Sequence, residues 1–398
     1  MAIVIRNARL FDGLARAPRE NAVLIIDGQR IKAVGAAGQI PMPADDATVI
    51  DAGGRTVLPA LMECHVGIIR EPFGTTQKEI AASTLRGAAR GRRCLRMGVT
   101  TVRNYHCAHE GIFALKEAFA SGEAEGPRLL VAGRAISTTG GHGWQFGNRE
   151  ADGADEVRKA VREQLKAGAD WIKLMATGGA LPPNEGAGDE QMTVEELRAG
   201  VEEAHKKGRF ALAHISGAQG ARNCIAAGVD SFTHGLFLEE DVVRGMKAQS
   251  IFLVPTLSAY TRLLELGEKG EVPEHVYEKA KLAVPGHKRS FQMAMAAGVK
   301  IAAGSDSGHT HYPIENGIFR ELELMNEYGM DPVDVLMSAT IRAAELLRLT
   351  KDLGTLEAGK LADILIVEGN PLERVNEIRR TWMVFKEGQA VFKKDAQE

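Results

Sequence analysis

The sequence lacks the long apolar runs that a membrane protein needs. None of its segments approaches the roughly 18 continuous apolar residues of a transmembrane helix. The N-terminal segment MAIVIRNARLFDG is too polar, and its apolar run is too short, for a secretory signal peptide. We therefore expect a soluble, cytoplasmic protein with no membrane partner.

Paired cysteines and blocks of like charge are also missing. The four cysteines (Cys64, Cys94, Cys107 and Cys224) are scattered without a CxxC pair, which favours reduced thiols. The formal net charge is −3 with both signs interspersed, so nothing indicates a nucleic-acid partner. With 44% hydrophobic and 25% charged residues over 398 positions, the composition is that of a globular protein with a large core.

The two ends of the chain have the pattern of short β-strands. Residues 1–57 carry β-branched runs that are broken by Asp-Gly and Gly-Gly turns, and residues 355–398 return to the same character. We predict that these two segments pair into one small β-domain.

Between them, residues 58–354 alternate eight short apolar runs with amphipathic stretches. Several of these stretches open on Thr, Ser or Asp and end in Gly, as helices do. Eight strand–helix units predict a parallel sheet closed into a (β/α)₈ barrel. A doubly wound open sheet is the rival fold, but LPALMECH (58–65) is not followed by the Gly-rich phosphate turn that such a sheet usually carries.

Ionisable residues stand at the predicted C-terminal ends of five barrel strands, where the catalytic groups of such barrels lie. Taken singly, each has an ordinary explanation, such as a turn, a helix cap or a solvated lysine. Burying five ionisable groups together at the mouth of a barrel costs free energy, so their clustering by chance is improbable. Imidazole and carboxylate together are suitable ligands for zinc or a similar divalent ion. The five residues are His65, Lys173, His214, His234 and Asp306.

Strand alternation predicts which of these side chains share a face. His65 should share a face with Glu63, and His234 should share one with Phe232. If Lys173 faces the lumen, its ammonium would repel a cation and offer no lone pair. Lys173 therefore suits a metal site only when it is neutralised or converted to an anion.

Several longer motifs carry a specific resemblance. The chain resembles the amidohydrolase superfamily over nearly its whole length, in the branch of imidazolonepropionase-like and prolidase-like enzymes. The motifs that carry it are VLP (57–59), GVTTVRN (98–104), GGHG (140–143), IKLMATGG (172–179), AHISGAQGARNCIAAGVDSFTHG (213–235), AAGSDSG (302–308) and GTLEAGKLADILIVEGNPL (354–372).

The resemblance implies roles for the strand-end residues. In that family, the lysine matching Lys173 is often carboxylated and bridges two metal ions, and a His-x-His motif on the first strand binds the first of them. The histidines matching His214 and His234 bind the second ion. The aspartate matching Asp306 takes the proton of the hydrolytic water. The family also implies that the flanking strands form a β-sandwich and that the protein is a homo-oligomer.

The first-strand motif departs from the family pattern. Here it is His65-Val66-Gly67, so the second histidine is missing and the first metal site loses an imidazole. We expect either one divalent ion, most simply Zn²⁺, near His214 and His234, or a weakened pair of ions. With one ion, carboxylation of Lys173 is not required. Glu63 stands where the family commonly has aspartate.

Further candidates follow other strands. His142, in GGHG, resembles a family position near the substrate, although a Gly-rich turn explains it equally well. It is a candidate, with His234, for stabilising the tetrahedral intermediate. The segment LPPNEGAGDEQM (181–192) is long and polar enough to form a lid or a pocket wall, while His287 is expected at the surface. The substrate-binding candidates are His142, Tyr105, Tyr260, His309 and Tyr312.

The function predicted from the sequence is hydrolysis of an amide-type carbon–nitrogen bond in a small molecule, with metal-activated water and Asp306 as general base. Deamination of a ring substrate is the alternative within the family. A decayed enzyme that only binds its ligand would explain the lost histidine, and carbon–carbon or carbon–oxygen chemistry stays open. Arg70, Arg149 and Arg320 could pair with a substrate carboxylate.

Overall fold

The computed structural model describes residues 2–41, 47–69, 76–180, 182, 185–309 and 311–394. Its strands are β1 Ile3–Leu10, β2 Arg19–Asp27, β3 Arg30–Ala36, β4 Thr48–Asp51, β5 Thr56–Pro59, β6 Leu61–Val66, β7 Val99–Asn104, β8 Arg128–Val131, β9 Ile136–Ser137, β10 Arg149–Glu150, β11 Trp171–Met175, β12 Phe210–Gly217, β13 Ser231–Phe237, β14 Phe252–Val254, β15 Ile364–Val367, β16 Thr381–Lys386 and β17 Gln389–Lys393.

Its helices are α1 Gln77–Arg96, α2 Gly111–Ser121, α3 Gly153–Ala167, α4 Val194–Lys206, α5 Ala218–Ala227, α6 Glu240–Ala248, α7 Leu257–Glu268, α8 Glu274–Ala296, α9 Ile314–Glu327, α10 Pro332–Ser338 and α11 Ile341–Leu346. In the part of the chain that the structure describes, no helix is both long enough and apolar enough to cross a bilayer.

Strands from both ends of the chain join in one eight-stranded sheet, as predicted for the small β-domain. Its order is β17-β16-β15-β5-β1-β2-β3, with β4 paired to β1. Strand β5 connects the N-terminal and C-terminal strands of this sheet, because it pairs parallel with β1 and antiparallel with β15. Because β5 spans the boundary that the sequence places between residues 57 and 58, we propose that this domain extends to Pro59.

The barrel closes through the segment 301–307. The first seven barrel strands run parallel: β6 is the first and β7 the second, β8 and β9 together form the third, and β11, β12, β13 and β14 follow. Parallel bridges join Leu253 to Ile301 and Ser307 to Val66, so this segment is the eighth strand between β14 and β6. The predicted α/β barrel is confirmed, and the carboxyl ends of its strands meet at one rim.

Local signals in the sequence explain where the helices begin and end. Thr76 and Thr193 close capping boxes at the starts of α1 and α4. Gly168 and Gly228 end α3 and α5 in the left-handed conformation that glycine adopts without strain. These helix ends therefore carry the capping residues that the sequence pattern indicated.

Side-chain alternation separates the inside of the barrel from its helix-facing side. On β11, Trp171 packs inside with Phe210 and Leu212, whereas Ile172 and Leu174 pack in the cluster shared with the helices. Lys173 therefore follows Trp171 into the lumen. The inner apolar layer forms a floor beneath the rim.

Candidate active site

A cavity of about 800 Å³, open mouth included, lies at the carboxyl ends of the barrel strands. Its wall combines imidazole, aromatic and aliphatic side chains with two residues of formal charge, a composition typical of a small-molecule site. The lining residues are His65, Tyr105, His106, His142, Gly143, Phe146, Asn148, Lys173, Met175, Ala180, His214, His234, Ala259, Tyr260, Leu263, Asp306 and His309.

Three non-glycine residues at this rim have left-handed backbone. They are His234 on β13 (φ +69°), Thr256 just after β14 (φ +54°) and Asp306 on the eighth strand (φ +56°). This conformation is uncommon for any residue with a Cβ, and it is a true outlier for a β-branched threonine. Such strain collects at functional sites, where the surrounding fold holds it in place.

The left-handed turn at His234 corrects the alternation predicted for β13. Phe232 does not share the face of His234, since it packs in the cluster against the helices. The inward residue is Thr233, whose Oγ1 accepts a 2.9 Å hydrogen bond from Lys173 Nζ. His234 still lines the cavity because its positive φ reverses the direction of the side chain.

The first barrel strand also departs from simple alternation. The pairing of β6 with β7 shifts register between Glu63 and Val66. His65 lines the cavity, whereas Glu63 is absent from its lining. The Glu63 carboxylate instead accepts hydrogen bonds from the backbone N–H groups of His65 and Ser305 (both 3.0 Å) and from the Ser305 hydroxyl (2.8 Å). Through these bonds to Ser305, Glu63 stabilises the eighth strand, which carries Asp306, and its side chain does not turn toward the centre of the site.

His214 and His234 form a buried pair within the site. Their ring centroids lie 4.5 Å apart, and the side chains are almost fully buried. Burial, together with the neighbouring imidazoles and Lys173, holds the pKa of both rings well below the ordinary value. The rings are therefore neutral at pH 7, which is the state that binds a metal ion.

Both rings are oriented by their neighbours. His234 Nδ1 lies 2.7 Å from the Thr256 hydroxyl, which leaves Nε2 for the cavity. His214 Nε2 lies 3.2 Å from the carbonyl oxygen of Gly178. His287, which the sequence suggested to be a surface residue, is buried on α8 and contacts the His234 carbonyl oxygen at 2.9 Å. These contacts fix the backbone and ring of His234.

Lys173 is 2% exposed. Burial lowers its pKa to about 7, and the positive charge of Arg103 works in the same direction against the opposing effect of Asp306. A large share of the amine is therefore neutral at physiological pH. A neutral amine is the form that can react with carbon dioxide to give a carbamate.

Asp306 lies at the rim of the site and is partly exposed to solvent. Its backbone N–H donates to the His65 carbonyl oxygen at 2.7 Å, and its carboxylate lies 3.9 Å from His65 Nε2. The side chain is 23% exposed, so water has access to it. A carboxylate that is held at the rim and reached by water is suited to accept a proton.

His142 enters the site from the loop after β9. Its ring stacks on His214 with centroids 4.3 Å apart, and its Nδ1 lies 2.5 Å from the Glu185 carboxylate. Burial alone would raise the pKa of Glu185, but the hydrogen bonds from His142, Gly179 and Gln191 hold it below its ordinary value. Glu185 is thus an anion that is partly shielded from solvent.

The substrate-binding candidates divide into two groups. Tyr105, Tyr260 and His309 line the cavity together with His142. Tyr105 stacks on His65 at 4.6 Å, and Tyr260 meets His234 edge to face at 5.9 Å. Tyr312 lies outside the lining: it is 3% exposed, and its hydroxyl points to the carbonyl oxygen of Gly317.

The arginines suggested as carboxylate partners do not line this cavity where they are described. Arg149 pairs with Glu163 at 2.8 Å, and Arg320 pairs with Glu327 at 2.5 Å. Arg70 lies outside the described residues. The described wall of the cavity consists of imidazole, aromatic and apolar side chains together with Asn148, Lys173 and Asp306.

Sequence reasoning missed Glu185, Thr233 and Thr256. Glu185 belongs to the segment 181–192, which was predicted only as a lid or a pocket wall, and of its residues 181, 183 and 184 lie outside the described part. A carboxylate in a polar loop gives no periodic signal. The two threonines act through hydroxyl contacts to Lys173 and His234, which depend on three-dimensional distance and not on sequence spacing.

The donor chemistry of the site fits a divalent metal ion. Among residues in the described ranges, no three His, Cys, Asp or Glu side chains already converge on one metal position. The site nevertheless offers neutral buried imidazoles on β12 and β13, a carboxylate at the rim and a lysine with a lowered pKa. Imidazole nitrogen and carboxylate oxygen are the ligand types of catalytic zinc sites.

Comparison with known proteins places the chain in a family. The model of the amidohydrolase family matches residues 56–391. Ochratoxinase from Aspergillus niger is 30% identical, over 94% of this chain and 81% of that protein. An imidazolonepropionase from Bdellovibrio bacteriovorus is 24% identical, over 88% of this chain and 83% of its own length.

A solved structure gives the same answer. The crystal structure of a Xaa-Pro dipeptidase with methionine bound in its active site superposes with a TM-score of 0.91. It is 31% identical and covers 99% of this chain and 100% of its own. The chain belongs to the amidohydrolase family, and with it to the hydrolytic enzymes that act on carbon–nitrogen bonds.

Proposed function

We propose that this protein is a metal-dependent hydrolase that cleaves an amide bond in a small molecule, with Asp306 as the general base. One observation carries the proposal: Asp306 and the buried pair His214 and His234 line a single cavity at the carboxyl rim of the barrel. The relatives named above agree with it, since ochratoxinase, imidazolonepropionase and Xaa-Pro dipeptidase are all names of hydrolases.

We assign the principal metal position to His214 and His234. A divalent ion held there supplies Lewis acidity, which polarises a carbonyl group and makes a water molecule more acidic. Gly67 offers no side-chain ligand beside His65, so a second ion near His65 and Asp306 would be held more weakly. Lys173 lines the same cavity, and as a carbamate it would offer oxygen ligands to this centre.

The other residues bind substrate and move protons. Asp306 accepts the proton of the attacking water and returns it to the leaving nitrogen. His142 presents Nε2 to the substrate, and His234 acts on the reacting carbonyl only through the ion that it would hold. Tyr105, Tyr260 and His309 form the wall that holds the rest of the substrate.

The apolar part of the cavity narrows the substrate class. Met175, Ala180, Ala259 and Leu263 line the cavity, as does Phe146 from the loop that carries His142. A substrate with an apolar or aromatic group beside its amide would bury that group here. We therefore propose N-acyl amino acids and related aryl amides as the first compounds to test.

The test combines metal analysis with amine release. Protein prepared without chelator, metal-stripped protein, and stripped protein reloaded with zinc or manganese are each assayed against a panel of N-acyl amino acids, dipeptides and ring substrates. Metal-dependent amine release supports the proposal. Ammonia release from the ring substrates alone would replace it with a deaminase. No recoverable metal and no turnover would indicate a protein that only binds its ligand.

A further inference from the structure

The Glu185 carboxylate lies behind the cavity wall, where it contacts the lining residue His142. Its Oε1 lies 2.5 Å from His142 Nδ1 and accepts the Gly179 N–H at 2.9 Å. Its Oε2 accepts from Gln191 Nε2 at 3.0 Å, and Gln191 Oε1 in turn accepts the His142 backbone N–H at 2.7 Å. Both oxygens of Glu185 are thus used to hold one histidine and its support.

The Glu185 backbone is anchored as firmly as its side chain. Lys279 on α8 donates to the carbonyl oxygens of Pro182 and Glu185, at 2.5 and 2.6 Å. The carboxylate is only 11% exposed, like the His142 side chain that it contacts. A residue whose main chain and side chain are both held is able to orient a neighbour.

The His142 ring has little freedom to rotate. One face stacks on His214 with an interplanar angle of 26°. A Cβ at Gly179 would lie 2.1 Å from the ring, so the absence of a side chain at residue 179 makes room for it. Asn148 holds the His142 carbonyl oxygen at 2.9 Å. The ring is thus fixed with Nδ1 toward Glu185, and Nε2 is the nitrogen left for the cavity.

A carboxylate beside Nδ1 also selects the tautomer. An ionised carboxylate can only accept hydrogen bonds, so Nδ1 carries the proton and Nε2 of the neutral ring keeps its lone pair. Without Glu185, the ring could turn over or move its proton to Nε2. The atom that meets the substrate would then be undefined.

We propose that Glu185 is a positioning residue, which fixes the orientation and tautomer of His142 so that Nε2 meets the reacting amide. The proposal rests on the hydrolytic function given above. Glu185 itself does not line the cavity, so it acts only through His142. Mutation of the hydrogen-bond partner of a metal-binding histidine typically costs roughly 10- to 100-fold in affinity or activity, and we expect a loss of that order here.

The experiment compares three variants of the full-length protein. Glu185→Gln removes the charge at nearly constant volume, and Glu185→Asp keeps the charge on a shorter side chain. Glu190→Gln is the matched control: this exposed carboxylate belongs to the same segment but accepts from Asn223 on α5, 2.6 Å away. Each variant is measured for kcat and KM, metal content, melting temperature and the ¹⁵N chemical shifts of its histidine rings. A His142→Gln spectrum assigns the signal of His142.

We expect Glu185→Gln to lower kcat by roughly 10- to 100-fold, with KM, metal content and melting temperature close to those of wild type. The His142 signal should lose part of its Nδ1–H character, because a neutral amide oxygen is a weaker acceptor than a carboxylate and the amide NH₂ group can face Nδ1 instead. Glu185→Asp should recover part of both, and Glu190→Gln should match wild type. A Glu185→Gln protein with normal kcat would overturn the proposal, and so would one that is slow while its His142 tautomer is unchanged.

The spectroscopic measurement separates this proposal from the proposed function. If wild type releases no amine from any compound in the panel, the hydrolytic assignment has failed. The wild-type and Glu185→Gln spectra still decide whether Glu185 sets the His142 tautomer. If the panel is turned over but the two spectra agree, the positioning role is wrong and the hydrolytic assignment stands.

Discussion

His234 and Thr256 meet through a 2.7 Å hydrogen bond between Nδ1 and Oγ1, and both residues have left-handed backbone. Two strained residues, one on β13 and one just after the neighbouring strand β14, are thus tied to each other by their side chains. Strain of this kind costs on the order of 1–3 kcal/mol per residue and persists only where the surrounding structure imposes it. The contact fixes the direction of the Nε2 lone pair, which is the feature a metal ion requires.

The first prediction concerns that hydroxyl. Thr256→Val keeps the shape and the branched Cβ but removes the oxygen that orients His234. We expect metal affinity to fall on the order of 10- to 100-fold, as it does for other partners of ligand histidines. Competition with a chromophoric chelator measures the change. Thr261→Val is the control, since its hydroxyl donates to the Leu257 carbonyl oxygen within α7; equal affinities in the two variants would refute the orienting role.

The second prediction concerns proton transfer. Asp306→Asn keeps the size of the side chain but removes its basicity, so turnover should fall by at least 10²-fold, the low end of what a general base contributes. The melting temperature should change little, because the fold holds residue 306 through its backbone N–H. Metal content should also be retained, because His214 and His234 are unchanged. Near-normal kcat in this variant would rule out Asp306 as the base.

The sequence predicts which strand ends meet but not how the side chains turn there. The parallel strands of one barrel have their carboxyl ends at one rim, so the sequence alone predicts that strand-end residues lie close together. This reasoning covers His65, Lys173, His214 and Asp306. His234 reaches the same cavity for a reason that period-two alternation cannot supply: its positive φ reverses the side chain, and Phe232 points the other way.

Loop residues could not be predicted for a different physical reason. Glu185 comes to His142 across a 43-residue separation, through a polar segment without periodicity. Tyr312 was expected to contact substrate because it follows Asp306, yet the chain turns between them. A 3.3 Å bond from the His309 N–H to the Tyr312 carbonyl oxygen closes that turn, and the Tyr312 ring is buried. Proximity in sequence to a site residue does not fix direction in a loop.

The third prediction uses two glycines of one segment. A Cβ at Gly179 would lie 2.1 Å from the His142 ring, whereas a Cβ at Gly188 would meet its nearest atom at 3.7 Å. Gly179→Ala should therefore displace the ring and lower kcat/KM on the order of 10²-fold, since a 1 Å misplacement can cost that much. Gly188→Ala should behave like wild type. Steady-state kinetics of the two variants test this; equal kinetics would mean that the ring position is unimportant.

The fourth prediction concerns the pH dependence of folding. Burial raises the pKa of Glu63 from 4.5 to about 8, against hydrogen bonds from His65 and Ser305 that favour the ionised form. A group whose pKa is higher in the folded state than in the unfolded state stabilises the fold fully at pH values below its unfolded pKa, here near 4.5. That contribution to the free energy of unfolding is lost as the pH rises through the folded pKa, here about 8. The free energy of unfolding of the wild type should therefore fall over this pH interval, and the ionisation of Glu63 should account for part of the fall.

Glu63→Gln removes that proton-linked contribution, because an amide resembles the protonated acid and does not titrate. Its oxygen can still accept from the His65 and Ser305 N–H groups, so the fold is retained. Glu321, whose pKa burial raises to about 7, titrates in the same range and raises the pKa of Glu63, so the comparison reports Glu63 together with its coupling to Glu321. Urea unfolding of the two metal-stripped proteins between pH 5 and 9 measures the difference. The variant should lose less stability than wild type as pH rises, and parallel curves would show that Glu63 is ionised throughout.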